Sequence, residues 1–288
     1  MLNIGIVGAE NSHTASIAKV LNVEKQVRGV RVTHVWGETP AFARAAAAAG
    51  QIPHIVKKPE DLIGAVDAAA VDHRHPKFHL PAAKPLLEAG MPLFIDKPFC
   101  YRQGEGRRFL ARAKELGVPV CSFSVVPKQA AFVALQKEVR KLGQIYAVVS
   151  TGRCDIKSKW GGVFFYGIHQ VDMVLRILGY DIGHVQVHKG RGRNHLATLS
   201  YRDGSVATLN LIDGGNAPFH LSVIGEKGRI DQTIQYDAST YLPGIRSFVR
   251  LFRSGKTDET EETMLGPVAV LEALEKSIAG KGRVKVSL

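Results

Sequence analysis

Cysteine is nearly absent. Three residues, Cys100, Cys121 and Cys154, lie far apart with no CxxC spacing. An odd, dispersed set supports neither a disulfide framework nor a thiolate zinc site. A reducing, cytoplasmic compartment is the expectation. Long apolar runs are also missing. The longest are strand-length, short of the roughly 20 residues a membrane span needs, so no membrane partner is expected. The chain does not open with a basic stretch, an apolar stretch and a cleavage site, so no secretory signal is expected. Acids are the minority charge, with 26 Asp and Glu against 38 Lys and Arg, a formal net charge of +12. The cations are scattered rather than gathered in one block. Their densest group, Lys189-Gly190-Arg191-Gly192-Arg193, reads as a glycine-rich turn between strands. Nucleic-acid recognition is therefore not expected, and the basic surface favours anionic small molecules.

What is present is the composition of a folded protein: 288 residues, 45% hydrophobic and 22% charged. That length is comfortable for two domains of ordinary size. Residues 3–8 are an apolar run that breaks at Gly8. A polar turn follows, Glu10-Asn11-Ser12-His13, and then a helix with Ile17, Val20 and Leu21 on one face. Strands are predicted at 30–36, 67–72, 92–95 and 118–121. Helices are predicted at 40–49, 78–89 and 104–116, with Gly50, Gly90 and Gly117 as stops. Strand–helix alternation with short connections means βαβ units and a parallel, doubly wound Rossmann-type sheet.

After Cys121 the grammar changes. Helices are predicted at 128–142 and 167–178. Strands are expected at 145–151, 184–188, 195–201, 206–211, 219–224 and 229–232, with Asp203-Gly204 and Glu226-Lys227-Gly228 as turns. Two more helices, 242–253 and 267–279, and a strand at 283–287 close the chain. The fold class is α/β: a dinucleotide-binding domain over 1–122, then an α+β domain over 123–288 with a mainly antiparallel sheet for substrate and oligomerisation.

Chemistry gathers at strand ends. A dinucleotide turn places small residues for the bend, for close pyrophosphate approach and for helix packing; here that register holds Gly8, Glu10 and His13. The helix start offers free N–H groups, so Gly8, Glu10, Asn11, Ser12 and His13 are candidate cofactor contacts. Glu10, however, puts a carboxylate where the pyrophosphate comes closest. Glu38, after strand two, is the acid available to hold ribose hydroxyls, which leans toward NAD over NADP. Asp72-His73-Arg74-His75 follows a buried-type strand, and Asp72 and Arg74 join the cofactor set. His73, His75 and His79 lie close in sequence, but no acid or cysteine completes a metal set around them, so no metal is expected. Asp96-Lys97-Pro98 ends another apolar strand, where a lysine can polarise a substrate oxygen. His169 and Asp172, three apart, share one helix face, a plausible general base with a supporting carboxylate.

These pieces together resemble the glucose–fructose oxidoreductase / inositol dehydrogenase / rhizopine-catabolism family, called Gfo/Idh/MocA. The resemblance rests on Asp-Lys-Pro at 96–98, Gly-Gly-x6-His-x-x-Asp at 161–172, Pro76 to His79, Leu-Glu-Ala-Gly at 87–90 and Ile-Gly-Glu-Lys-Gly at 224–228. It implies an NAD(P)-dependent oxidoreductase acting on a sugar- or polyol-like substrate, with Lys97 and His169 catalytic and Asp172 in support. It further implies substrate contacts from His79, Asp96, Lys97 and Tyr166, and a homo-oligomer, dimer or tetramer. Two departures stand out. The family's turn keeps glycines where Glu10 and His13 occur, and many members carry aspartate at the position of Phe165. Two alternatives therefore stay open: a non-redox elimination or epimerisation, or a ligand sensor or scaffold that has lost its chemistry.

Overall fold

The structure is a computed structural model that describes residues 1–190 and 192–287. Arg191 of the basic turn lies outside the described residues. The chain divides into two compact units, Met1–Phe123 with Ser239–Met264, and Ser124–Ala238 with Leu265–Leu288.

The first unit is built on six strands: β1 (Leu2–Val7), β2 (Val30–Trp36), β3 (His54–Ile55), β4 (Ala68–Val71), β5 (Leu93–Ile95) and β6 (Val120–Cys121). They lie in the order β3-β2-β1-β4-β5-β6, every pair parallel. The order reverses between β1 and β4, the topological switch point where such sheets open a crevice at their C-terminal edge. The strands are short and apolar on both faces; β4 is Ala-Ala-Ala-Val, all four buried, as helices on both faces require. Four helices connect them: α1 (Ser12–Ala18), α2 (Pro40–Gly50), α3 (His79–Glu88) and α4 (Gln103–Leu116). Pro40 sits at the first helical position of α2 after the Thr39 cap, where a missing N–H costs nothing. Gly117 ends α4 in the left-handed region. The two-residue β3 has both residues exposed, too short for a periodic signal.

The second unit begins with α5 (Ala130–Val139) and β7 (Ile145–Arg153), followed by α6 (Phe164–Leu178) and then β8 (Ile182–Lys189), β9 (Asn194–Tyr201), β10 (Val206–Ile212), β11 (His220–Gly225) and β12 (Gly228–Thr233). Two helices, α7 (Leu242–Ser254) and α8 (Glu261–Lys276), precede β13 (Val284–Lys285). The sheet order is β12-β11-β7-β10-β9-β8-β13. All pairs are antiparallel except β7 with β10. Nine of the fifteen residues of α6 from Gly167 to Leu175 are buried in an unbroken run, so this helix is core on nearly every side.

One expectation needs amending. The second domain is not all of 123–288, because α7 belongs to the first unit. Ile245, Phe248, Val249 and Leu251 join the core of Ile4, Ile6, Val35, Phe94 and Phe123. Phe248 stacks on Phe94 with ring centroids 4.8 Å apart. Burying each such side chain is worth about 1.5–3 kcal/mol, which explains why the chain returns.

Candidate active site

In the first unit the chemistry gathers at the C-terminal ends of β1, β4 and β5. Gly8 turns the chain with φ +111°. A Cβ there would stand 2.8 Å from the backbone carbonyl of Asp72, so only glycine lets the ends of β1 and β4 meet. Asn11 caps α1, its side-chain oxygen accepting from the His13 N–H. Its amide Nδ2 donates to Asp72 Oδ1 at 2.7 Å and to Asp96 Oδ2 at 3.2 Å. His13 Nδ1 lies 3.0 Å from the same Asp96 oxygen. Thr14 Oγ1 lies 2.7 Å from both the Gly8 carbonyl and Asp72 Oδ2.

That last contact is compatible with a protonated Asp72. A threonine hydroxyl has one proton to donate. If it goes to the Gly8 carbonyl, Asp72 must supply the proton on the other side. Burial raises the Asp72 carboxyl well above its ordinary range, and the charge of Asp96 pushes the same way. Asp96 feels the same burial, but His13, by charge and hydrogen bond, with Lys97 behind it, holds it below the usual carboxylate range. Within the pair, Asp72 is pushed toward its neutral form and Asp96 is held toward its ionised form. Every donor and acceptor in the chain from His13 to Gly8 then has a partner.

His13, Asp72 and Asp96 also offer three ligand atoms within 4.8 Å of one another. Asn11 places its NH2 group between the two carboxyls, where a cation would have to sit. The cluster therefore works as a hydrogen-bonded network.

Three of the expected contact residues are more deeply buried than their place at strand ends suggests. Asp72 is fully buried and hydrogen-bonded to Asn11 and Thr14 beneath the Gly8 turn. Asp96 is 3% exposed and turned to His13 and Asn11. His79 is also fully buried. Its Nδ1 lies 2.9 Å from the Pro98 carbonyl and its Nε2 2.7 Å from the His73 carbonyl. It ties the Lys97-Pro98 turn to the end of β4. Burial lowers its pKa, opposed by the Asp96 charge and the carbonyls it faces. Lys97 itself is 8% exposed, and its peptide bond to Pro98 is cis.

Glu38 takes an unexpected position. Its Oε2 accepts from the backbone N–H groups of Ala9 and Glu10 at 2.8 and 2.9 Å. Two amides of the turn are thereby used by the protein itself. The other oxygen, Oε1, is buried and has no partner among the described residues. An acceptor fixed in place and left without a donor fits a ribose hydroxyl and repels a phosphate. Ser12 is exposed at the first position of α1, and Arg74 is half-buried in the bend after β4. His73 is buried among Trp36, Phe78 and His79, and its pKa is lowered to about 3 by that burial and by the neighbouring His79. No charge is expected on it near neutrality.

In the second unit, α6 carries His169 and Asp172. His169 is buried, and its Nδ1 lies 2.7 Å from Ser124 Oγ, which also accepts from the Val126 N–H. Its ring packs edge-on to Phe219 at 5.3 Å and beside Tyr166 at 5.8 Å. Asp172 accepts from Arg176 Nε at 2.7 Å, one turn further on. The predicted shared face of His169 and Asp172 is present, and each side chain also has a partner that spacing did not suggest. Thr14, Tyr241, Ser124 and Arg153 were missed as well. Tyr241 packs on His13 at 5.1 Å and Arg153 lies over Tyr166 at 5.0 Å. Of these, only Ser124 could have been sought from sequence, as a hydroxyl following the last parallel strand.

Residues 2–123 match the family model described as "Oxidoreductase family, NAD-binding Rossmann fold". Among curated proteins, the chain is 26% identical over 233 residues to the uncharacterized oxidoreductase YhhX of Escherichia coli strain K12. That match spans 73% of this chain and 66%, just under two thirds, of the relative. Among solved structures, it is similar to GenD2 from gentamicin A biosynthesis, solved in complex with NAD, with TM-score 0.86 and 17% identity, covering 100% of this chain and 97% of that one. It is also similar to scyllo-inositol dehydrogenase from Lactobacillus casei, solved with NAD(H) and scyllo-inositol, with TM-score 0.85 and 16% identity, covering 99% of each chain. At such identities the likeness to solved structures is one of fold. Over residues 2–123, the chain is therefore similar to the Gfo/Idh/MocA oxidoreductases with an NAD-binding Rossmann fold.

Proposed function

We propose that the protein is an NAD-dependent dehydrogenase of a polyol or sugar-like small molecule. The observation that carries this reading is Glu38, clamped by two turn amides with one buried oxygen left for a hydroxyl donor. NAD is favoured over NADP because a 2′-phosphate would meet that fixed carboxylate. When bound, the nicotinamide supplies a hydride acceptor or donor. Lys97, held by the cis turn that His79 ties down, orients and polarises the reacting substrate oxygen. His169, held by Ser124, takes or returns the hydroxyl proton. The paired acids Asp72 and Asp96 are positioning groups that hold Lys97 and the Gly8 turn in register.

The inositol dehydrogenases with this fold support the substrate class. The absence of a membrane-spanning helix among the described residues fits a small-molecule enzyme, and we assign it to the cytoplasm as a homo-oligomer. The test has two parts. NADH and NADPH are titrated by fluorescence, and NAD+ reduction is followed over a panel of cyclitols, sugars and sugar acids. NADH binding tighter than NADPH, with turnover of at least one member, is expected. Failure to bind either nucleotide would overturn the reading.

A further inference from the structure

The polar wall of the second unit is cationic and aromatic rather than acidic. From Ile156 to Val171 the sequence has no Asp or Glu, yet it holds Lys157 and Lys159. Trp160, Phe165, Tyr166 and His169 follow one another in space, with ring centroids 6.5, 4.7 and 5.8 Å apart. Two cations flank this row. Arg153, exposed at the end of β7, lies 5.0 Å over Tyr166, and Lys159 lies 4.6 Å over Trp160.

The neighbouring acids are committed elsewhere. Asp155 accepts from the Lys157 N–H at 2.8 Å, Asp172 from Arg176 at 2.7 Å, Asp237 from the Ala130 N–H at 3.2 Å, and Asp213 pairs with Arg193. Among the described residues neither Arg153 nor Lys159 has a carboxylate partner. A guanidinium held over a ring keeps its in-plane N–H donors for a planar anion. The aromatic faces suit the C–H faces of a sugar or cyclitol ring. A neutral substrate would leave both cations to water.

We infer that Arg153, with Lys159, makes this site select a polyol bearing an acidic group, a sugar carboxylate or a sugar phosphate. The inference rests on the reading of the chain as a polyol dehydrogenase. Arg153 is then a specificity residue, reading the anion over Tyr166, which lies one helical turn before His169.

The experiment titrates D-gluconate, D-glucuronate, glucose 6-phosphate, D-glucose and myo-inositol into the NADH-loaded full chain by calorimetry. At least one acid should bind about tenfold or more tightly than D-glucose, the gain expected of a charge-assisted pair. The carboxylates against the phosphate distinguish the two sources of charge. Arg153→Gln should bring the acid-to-neutral ratio close to one, while Arg153→Lys should retain part of it. Acids no tighter than glucose and inositol, or an unchanged ratio in Arg153→Gln, would overturn the inference. If a neutral polyol is oxidised by NAD+ without acid preference, the dehydrogenase stands and this inference falls. If NADH does not bind, the dehydrogenase reading falls, and the same titrations without nucleotide still decide the role of Arg153.

Discussion

The two units present opposite kinds of polar surface. At the C-terminal edge of the first sheet, the acids and histidines are buried and bonded to one another, from His13 through Asp96 and Asn11 to Asp72 and Thr14. Around α6 in the second unit, Tyr166, Phe165 and Trp160 are half-buried, with Arg153 and Lys159 exposed beside them. A closed network holds geometry and contributes to stability, because each member removed leaves another buried group unsatisfied. An open row of rings and cations contributes little to the fold and is available to ligands. Substitutions in the first region should therefore act on folding, and those in the second on recognition.

Lys97 tests where this division ends, since it sits in the first region but serves chemistry. Lys97→Ala should lower kcat by about 10²–10⁴-fold with an unchanged thermal midpoint, measured on the best substrate of the panel. A change in midpoint of the size seen for the acids would place Lys97 with the structural network. Asp96→Ala should cost about 3–5 kcal/mol in urea denaturation, the loss expected when one member of a buried charged pair is removed. Asp72→Asn should cost within about 1 kcal/mol, because an amide replaces a neutral acid and still donates to Thr14. Equal costs at the two positions would refute that division between neutral and ionised forms.

The pH dependence of stability sharpens the same contrast. His73 is neutral in the folded chain down to about pH 3, against an ordinary value of 6.5. Between those values the unfolded chain binds a proton that the folded chain refuses. Stability is therefore full above pH 6.5 and falls as pH drops toward 3, by up to about 1.4 kcal/mol per unit. His73→Asn should flatten that limb in urea midpoints measured across the window. An effect on recognition rather than on folding is expected at Glu38. Glu38→Gln should narrow the preference for NADH over NADPH by about tenfold, with the turn amides still accepted by the side-chain oxygen.

Most strands of the first unit were legible because apolar or alternating runs separate helices that end in glycine, and β2, β5 and α2 lie within a residue or two of their expected limits. Lys97 and His169 were legible because strand ends and a motif point to them. Burial was the hidden quantity. The residues of Asp72, His79 and Asp96 looked like ligand contacts from their place at strand ends, but their side chains turn inward, and no spacing rule gives that direction. The destination of α7 was equally hidden. Its amphipathic face shows that it packs on something, while the sheet it covers lies more than a hundred residues back in the chain. The parallel pairing of β7 with β10 also depends on topology rather than on local alternation.

The return of α7 sets an order on synthesis. Four of its apolar side chains fill the core of a sheet whose last strand ends at Cys121. A nascent chain emerging from the ribosome has made every strand of the first sheet long before Leu251 appears, and the whole second sheet through β12 is made in between. The first unit must wait, with Phe94 and Phe123 uncovered, while its partner is being translated. The usual order in which an N-terminal domain finishes first does not apply. A fragment cut at residue 123 would lack its own closing piece and expose an apolar face, so expression of the isolated nucleotide-binding half should yield aggregates unless the segment Ser239–Met264 is supplied.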